Sequence, residues 1–120
     1  MKKTVLLVDD CRTTRRLVTY LIKDADLNIL QAENGLEALE VLARNDVDIV
    51  VSDMNMPQMD GLELIKSMKE DNSYQTIPVI MLTTEEDEAE KERGLQIGAA
   101  SYLKKPVSKD ALLEEVNKYI

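Results

Sequence analysis

The chain has 120 residues, the length of one domain, and 44% of them are apolar with four tyrosines as the only aromatics, so the core has to be aliphatic. Charged residues at 32% suit a folded globular protein, and a net charge of −8 without a basic stripe excludes a nucleic-acid surface. No apolar run nears a membrane span, MKKTVLLVDD is too short for a signal-peptide core, and the lone Cys11 cannot close an internal disulfide, so the cytoplasm is the expected compartment.

Short apolar runs alternate with longer amphipathic stretches. The first strand is expected at residues 4–8 and runs straight into Asp9 and Asp10. A helical stripe of Leu17, Val18, Leu21, Ile22 and Ala25 follows, then a strand at 29–32. Leu36, Leu39, Leu42 and Ala43 form the second stripe, and the third strand, at 48–52, delivers Asp53. Leu62, Ile65 and Met68 mark the third helix, and Met68 reads as core filler. The fourth strand, at 77–82, ends in Thr83 and Thr84. The runs VLLV, IVV and VIML are continuously apolar, as strands covered on both faces should be.

The segment after MLTT differs from the other helices. It has a possible capping box from Thr84 to Asp87, yet only Ala89, Leu95 and Ile97 to bury, which predicts a weakly anchored helix over 85–96. A fifth strand at 101–104 leads to Lys105 and Pro106, and Leu112, Leu113, Val116 and Ile120 mark the last helix. Five strands alternating with five helices predict a doubly wound α/β fold: a five-stranded parallel sheet of order 2-1-3-4-5, flavodoxin-like, with helices on both faces. The whole of residues 1–120 is expected to be one domain.

In such a sheet, sites form at the carboxyl ends of the strands. Asp9, Asp10, Asp53, Thr83 and Lys105 all fall there. Singly, each has a bland explanation as a helix cap or a surface residue. Together they do not, because two carboxylates about 4 Å apart repel by roughly 4 kcal/mol at an effective dielectric of about 20. Three converging carboxylates need a cation. The chain has no histidine and a single thiol, so zinc and copper are disfavoured, and an all-oxygen set with room for waters suits Mg²⁺. A divalent ion and an ammonium around a carboxylate describe a site that receives a phosphoryl group on that carboxylate.

VLLVDD, DIVVSDMNMPQMDGLELI, IPVIMLTT and SYLKKP resemble the receiver domain of two-component response regulators over essentially the whole chain, most closely the stand-alone CheY-like chemotaxis type. The resemblance implies that Asp53 is the phosphoacceptor, phosphorylated by a sensor histidine kinase or phosphotransfer protein. It implies that Asp10 ligates Mg²⁺ directly, Asp9 largely through water, and Asn55 through its backbone carbonyl. Thr83 would bond the phosphoryl oxygens, Lys105 rather than Lys104 would pair with one, the Lys105–Pro106 bond would be cis, and Tyr102 would be the aromatic switch. Output would be by protein contact at the face of the fourth helix, fifth strand and fifth helix, from a monomer or a weak phosphorylation-dependent dimer. The protein would be an enzyme only in promoting its own phosphorylation and slow dephosphorylation.

Cys11 stands where many relatives carry a small polar residue, and it reads as a small residue near a cap rather than a redox sensor. Thr84 is bulkier than usual there and is expected to restrict access to the phosphoryl group; Met54 and Met56 read as packing. A haloacid-dehalogenase-type phosphatase is the rival, but DDCRTT lacks its Asp-any-Asp spacing and no cap segment is present. A flavin module of the same fold lacks the expected aromatic, hydroxyl-rich phosphate loop.

Overall fold

Two strands are buried at every position: β3 (Ile49–Asp53) and β4 (Val79–Thr83). They form the centre of the sheet in the computed structural model, which describes residues 2–120. Strand β1 (Lys3–Val8) is exposed at its first residue and buried over its last four. Strands β2 (Leu27–Ala32) and β5 (Ser101–Lys104) regain exposure because each lies at an edge. All pairings are parallel and the order is β2-β1-β3-β4-β5, the doubly wound arrangement expected. Strand starts differ from expectation by one or two residues, since Lys3 and Leu27 already pair while Asp48 and Ile77 do not.

The helices are α1 (Arg12–Ile22), α2 (Gly35–Arg44), α3 (Gly61–Lys69), α4 (Glu88–Ile97) and α5 (Lys109–Asn117), with a 3₁₀ turn at Glu85–Asp87 before α4. Successive strand residues point to opposite faces and build two cores. On one face Leu6, Val8, Val50 and Met81 pack with Ala38 and Leu42 of α2 and Leu64, Ile65 and Met68 of α3. On the other, Val5, Leu7, Val51, Ile80 and Leu82 pack with Val18 and Ile22 of α1 and Leu112 and Val116 of α5. Among the described residues no helix is long and apolar enough to cross a membrane.

Three residues of the expected stripes are outside the core: Leu17 is 57% exposed, Leu36 is 46% exposed, and Ala43 is exposed. A helix lying on one sheet face needs only a narrow apolar seam, and Val18 with Ile22, and Ala38 with Leu42, supply it. Helix α4 is anchored even more weakly than expected. Ala89, Leu95 and Ile97 are all exposed, and the helix buries Lys91 and Gly94 instead. It can approach the sheet at Gly94 because a side-chain carbon there would collide with the Met81 sulfur.

Candidate functional site

The apolar run of β1 carries Asp9 to the sheet edge and leaves it 1% exposed. Its Oδ1 accepts a hydrogen bond from the N–H of Cys11, the residue before α1, at 2.8 Å. Its Oδ2 is buried with no hydrogen-bond partner among the described residues. Arg15, one turn into α1, is buried and donates from Nη1 to the Asp9 carbonyl at 2.6 Å. Gln31 Oε1 at 3.3 Å and Glu33 Oε1 at 3.7 Å hold the same guanidinium against the end of β2. Arg15 therefore fixes the backbone from which Asp9 projects. Sequence reading missed it, because an arginine in an otherwise polar helix start gives no sign of facing inward.

Asp53 is the last residue of β3 and is 7% exposed. Its Oδ1 accepts from the Met54 N–H at 2.8 Å. Met54 and Met56 are both buried, in keeping with their reading as packing. The loop then turns sharply: the Met59 N–H reaches the Pro57 carbonyl at 2.8 Å, with Gln58 between them at φ 67°. Gly61 returns the chain against the strand end, its N–H 3.0 Å from the Met54 carbonyl. A side-chain carbon at Gly61 would stand 2.6 Å from the Asp53 carbonyl oxygen, so only glycine allows this approach. Asp60 and Glu63 close a reciprocal capping box that begins α3.

Lys105 arrives from the other side. Its N–H donates to the Thr83 carbonyl at 2.7 Å, extending the β4–β5 ladder by one residue, and the Lys105–Pro106 peptide is cis as the motif implies. Its Nζ lies 2.8 Å from Asp53 Oδ1 and 3.7 Å from Asp9 Oδ2. Lys104 is exposed and makes no such contact.

Asp9, Asp10 and Asp53 each bring one carboxylate oxygen within 4.8 Å of the others. Burial pushes the Asp9 carboxyl above its ordinary value; the Asp53 charge adds to this, against the Cys11 N–H and Lys105. Burial by itself would lower Lys105, yet the hydrogen bond and charge of Asp53, with Asp9 and Asp87 beyond, hold the ammonium above the usual lysine value. A small divalent cation fits this donor set: hard oxygens at the ends of two neighbouring strands, β1 and β3, one of them buried and without a hydrogen-bond partner among the described residues.

The remaining expected residues are nearby but not in the cluster. Thr83 is buried, with its hydroxyl 3.5 Å from the Leu103 carbonyl and therefore directed toward β5. The Asn55 side chain donates to Asp87 Oδ1 at 3.0 Å. Asp87 Oδ2 accepts from the Thr84 N–H at 2.8 Å and the Thr84 hydroxyl at 3.0 Å. The Thr84–Asp87 spacing thus signalled a real contact, but not that Asp87 would be buried and reach across to Asn55. Tyr102 is 36% exposed on β5, with Lys91 Nζ 4.4 Å from its ring centre and Glu88 Oε1 2.7 Å from that ammonium. Cys11 is exposed, and its thiol is held below the ordinary value chiefly by hydrogen bonding with Thr14.

Doubly wound sheets of this order carry their ligand sites at the carboxyl edge, and here that edge brings three carboxylates and a lysine together. Residues 5–117 match the family model described as response regulator receiver domain. A chemotaxis protein CheY homolog of Campylobacter jejuni is 39% identical over 114 residues, covering 93% of this chain and 88% of that protein. The chemotaxis protein CheY1 of Helicobacter pylori is also 39% identical, covering 93% and 92%. The chemotaxis response regulator CheY4 of Vibrio cholerae superposes with a TM-score of 0.91 at 33% identity over 100% of both chains. The chain belongs to the response regulator receiver domain family and is CheY-like, a signalling domain rather than a conventional enzyme.

Proposed function

We propose that Asp53 is the phosphoacceptor of a phosphorylation-activated switch, charged by a sensor histidine kinase or phosphotransfer protein. The observation that carries this is the placement of Lys105 Nζ 2.8 Å from Asp53 Oδ1 beside two further carboxylates. In the transfer, the free oxygen of Asp53 forms the new bond to phosphorus. The bond from phosphorus to the donor breaks, and the donor leaves with its electron pair. Lys105 then neutralises a phosphoryl oxygen, in a site dry enough to strengthen that contact. Asp9, Asp10, Asp53 and the Asn55 carbonyl would hold Mg²⁺, which when bound supplies charge neutralisation and orients the phosphoryl oxygens.

The chain acts on no second substrate; it promotes only its own phosphorylation and slow dephosphorylation. Thr83 turns from the Leu103 carbonyl toward the new phosphoryl oxygens, and Tyr102 moves into the space it leaves. The face of α4, β5 and α5 then changes shape and binds an output protein. This is a population shift between two packings, biased by a local change of charge. The names of the Campylobacter, Helicobacter and Vibrio relatives favour a chemotaxis output, acting in the cytoplasm from a monomer or a weak phosphorylation-dependent dimer. Residues 1–120 form the receiver as a single domain.

Amide NMR with Mg²⁺ and beryllofluoride, a phosphoryl mimic, tests the switch. Shifts are expected first around residues 53–55 and 83–84, then through 85–107. Shifts confined to the Asp53 pocket would contradict the switch while leaving the acceptor assignment standing.

A further inference from the structure

Asp9 is held at three points, and only one of them is its carboxylate. Its N–H donates to the Ala32 carbonyl at 3.1 Å, one residue beyond the last β1–β2 pair, Val8 with Ala32. Its Oδ1 accepts from the Cys11 N–H at 2.8 Å. No backbone N–H reaches its carbonyl among the described residues, since β2 has ended at Ala32. Nη1 of Arg15 fills that place at 2.6 Å, in a buried contact.

The arginine is itself tightly placed. It is 8% exposed, on a helix fixed to the sheet by Val18 and Ile22. Its Nε lies 3.3 Å from Gln31 Oε1 and its Nη2 3.7 Å from Glu33 Oε1. A guanidinium is planar, so partners in three directions leave the nitrogen that meets Asp9 little freedom. The carbonyl it holds belongs to the peptide joining Asp9 to Asp10. That peptide is planar too, so one bond orients the group from which both carboxylates project. With its backbone fixed and Oδ1 engaged, Asp9 leaves Oδ2 3.7 Å from the same ammonium that holds Asp53.

We propose that Arg15 is a positioning residue of the metal site: by fixing the peptide between Asp9 and Asp10, it presents both carboxylates to Mg²⁺ without pairing with either. This rests on the reading that these two residues help to hold Mg²⁺. Groups that orient metal ligands without touching the ion change affinity by about 10–100-fold when removed. The charge of the guanidinium acts in the opposite sense, because a nearby cation repels Mg²⁺. Positioning and field therefore predict opposite signs when Arg15 is replaced.

Mg²⁺ is titrated into wild type, Arg15→Gln and Arg15→Lys, and the amide resonances of Cys11 and Met54 give the dissociation constants. The dispersion of the same spectra shows whether each variant is folded. Arg15→Gln is expected to bind Mg²⁺ roughly tenfold more weakly, whereas loss of the charge by itself would tighten binding. Arg15→Lys keeps the charge and a donor for the Asp9 carbonyl but cannot hold Gln31 and Glu33 at once. It should recover part of the loss and bind roughly threefold more weakly than wild type. An arginine that only supports the fold would lower the melting temperature of both variants and leave their dissociation constants unchanged. Wild-type or tighter binding by a folded Arg15→Gln overturns the inference. If Arg15→Gln does not fold, wild-type affinity in Arg15→Lys overturns it. Wild type that binds no Mg²⁺ overturns the metal reading, and this inference with it.

Discussion

Lys105 Nζ donates to Asp53 Oδ1 at 2.8 Å across 52 positions of sequence, and both side chains are mostly withdrawn from water. The pair forms because β3 and β5 flank β4 and end at the same edge. Removing the ammonium leaves Asp53 facing Asp9 with no cation between them. Lys105→Met should therefore lower stability at pH 7 by about 1–2 kcal/mol in metal-free urea denaturation, less than a deeply buried pair because Lys105 retains some exposure. Millimolar Mg²⁺ should recover part of that loss. A variant as stable as wild type without metal would show that the pair contributes nothing to folding.

Asp9 gives the opposite sign. Its buried Oδ2 has no partner among the described residues, and burial raises its folded-state value above that of the unfolded chain. The folded state therefore holds the proton more tightly, and stability falls as pH rises from the ordinary carboxylate value through the raised one. Above that window the full penalty applies; below the ordinary value it vanishes. Asp9→Asn should stabilise the metal-free protein by about 1 kcal/mol at pH 7 and flatten this slope. It should also lose most of the Mg²⁺-dependent rise in melting temperature expected of wild type. Equal Mg²⁺ stabilisation of both proteins would remove Asp9 from the metal site.

Most of the frame that places these residues was legible in the sequence. VLLV, IVV and VIML announced strands covered on both faces, and polar residues directly after them marked the edge where the candidate site lies. What stayed hidden was the inward orientation of particular polar side chains. Arg15, Asp87 and Lys91 are buried, yet each sits among residues of similar polarity that are not. Their direction is set by tertiary partners: the Asp9 carbonyl, Asn55 and the Tyr102 ring. Periodicity likewise overcounted Leu17 and Leu36, since helical spacing cannot show how wide a seam the sheet will cover.

Thr84 is expected to lengthen the lifetime of a phosphoryl group on Asp53. Its hydroxyl is engaged with Asp87, which holds its β-branched side chain in one orientation beside the acceptor loop. Thr84→Ala removes both the bulk and that bond, while the backbone N–H bond to Asp87 can persist. Decay of the phosphorylated protein, followed by loss of the mass adduct after donor removal, should be roughly twofold to tenfold faster. An unchanged or slower decay refutes the steric account.

Lys91 is expected to restrain Tyr102 in its resting position. Its ammonium lies over the ring at 4.4 Å and is itself held by Glu88, whose hydrogen bond is the main reason its value is raised. Such a contact contributes about 0.5–1 kcal/mol, a roughly twofold to fivefold bias in population. Lys91→Met should shift the Tyr102 ring resonances toward their beryllofluoride-bound positions without any phosphoryl mimic. Ring resonances that stay at wild-type positions would mean that Lys91 covers the tyrosine without restraining it.

Asp53 is expected to carry the phosphoryl group in a transfer that depends on Mg²⁺. Intact mass after incubation with acetyl phosphate tests it most directly, on wild type and Asp53→Asn, each with Mg²⁺ and with a chelator. Wild type with Mg²⁺ should gain one phosphoryl group, which peptide mapping places on Asp53, and the other three samples should gain little or none. An equal, Mg²⁺-dependent adduct on Asp53→Asn would mean that another residue is the acceptor.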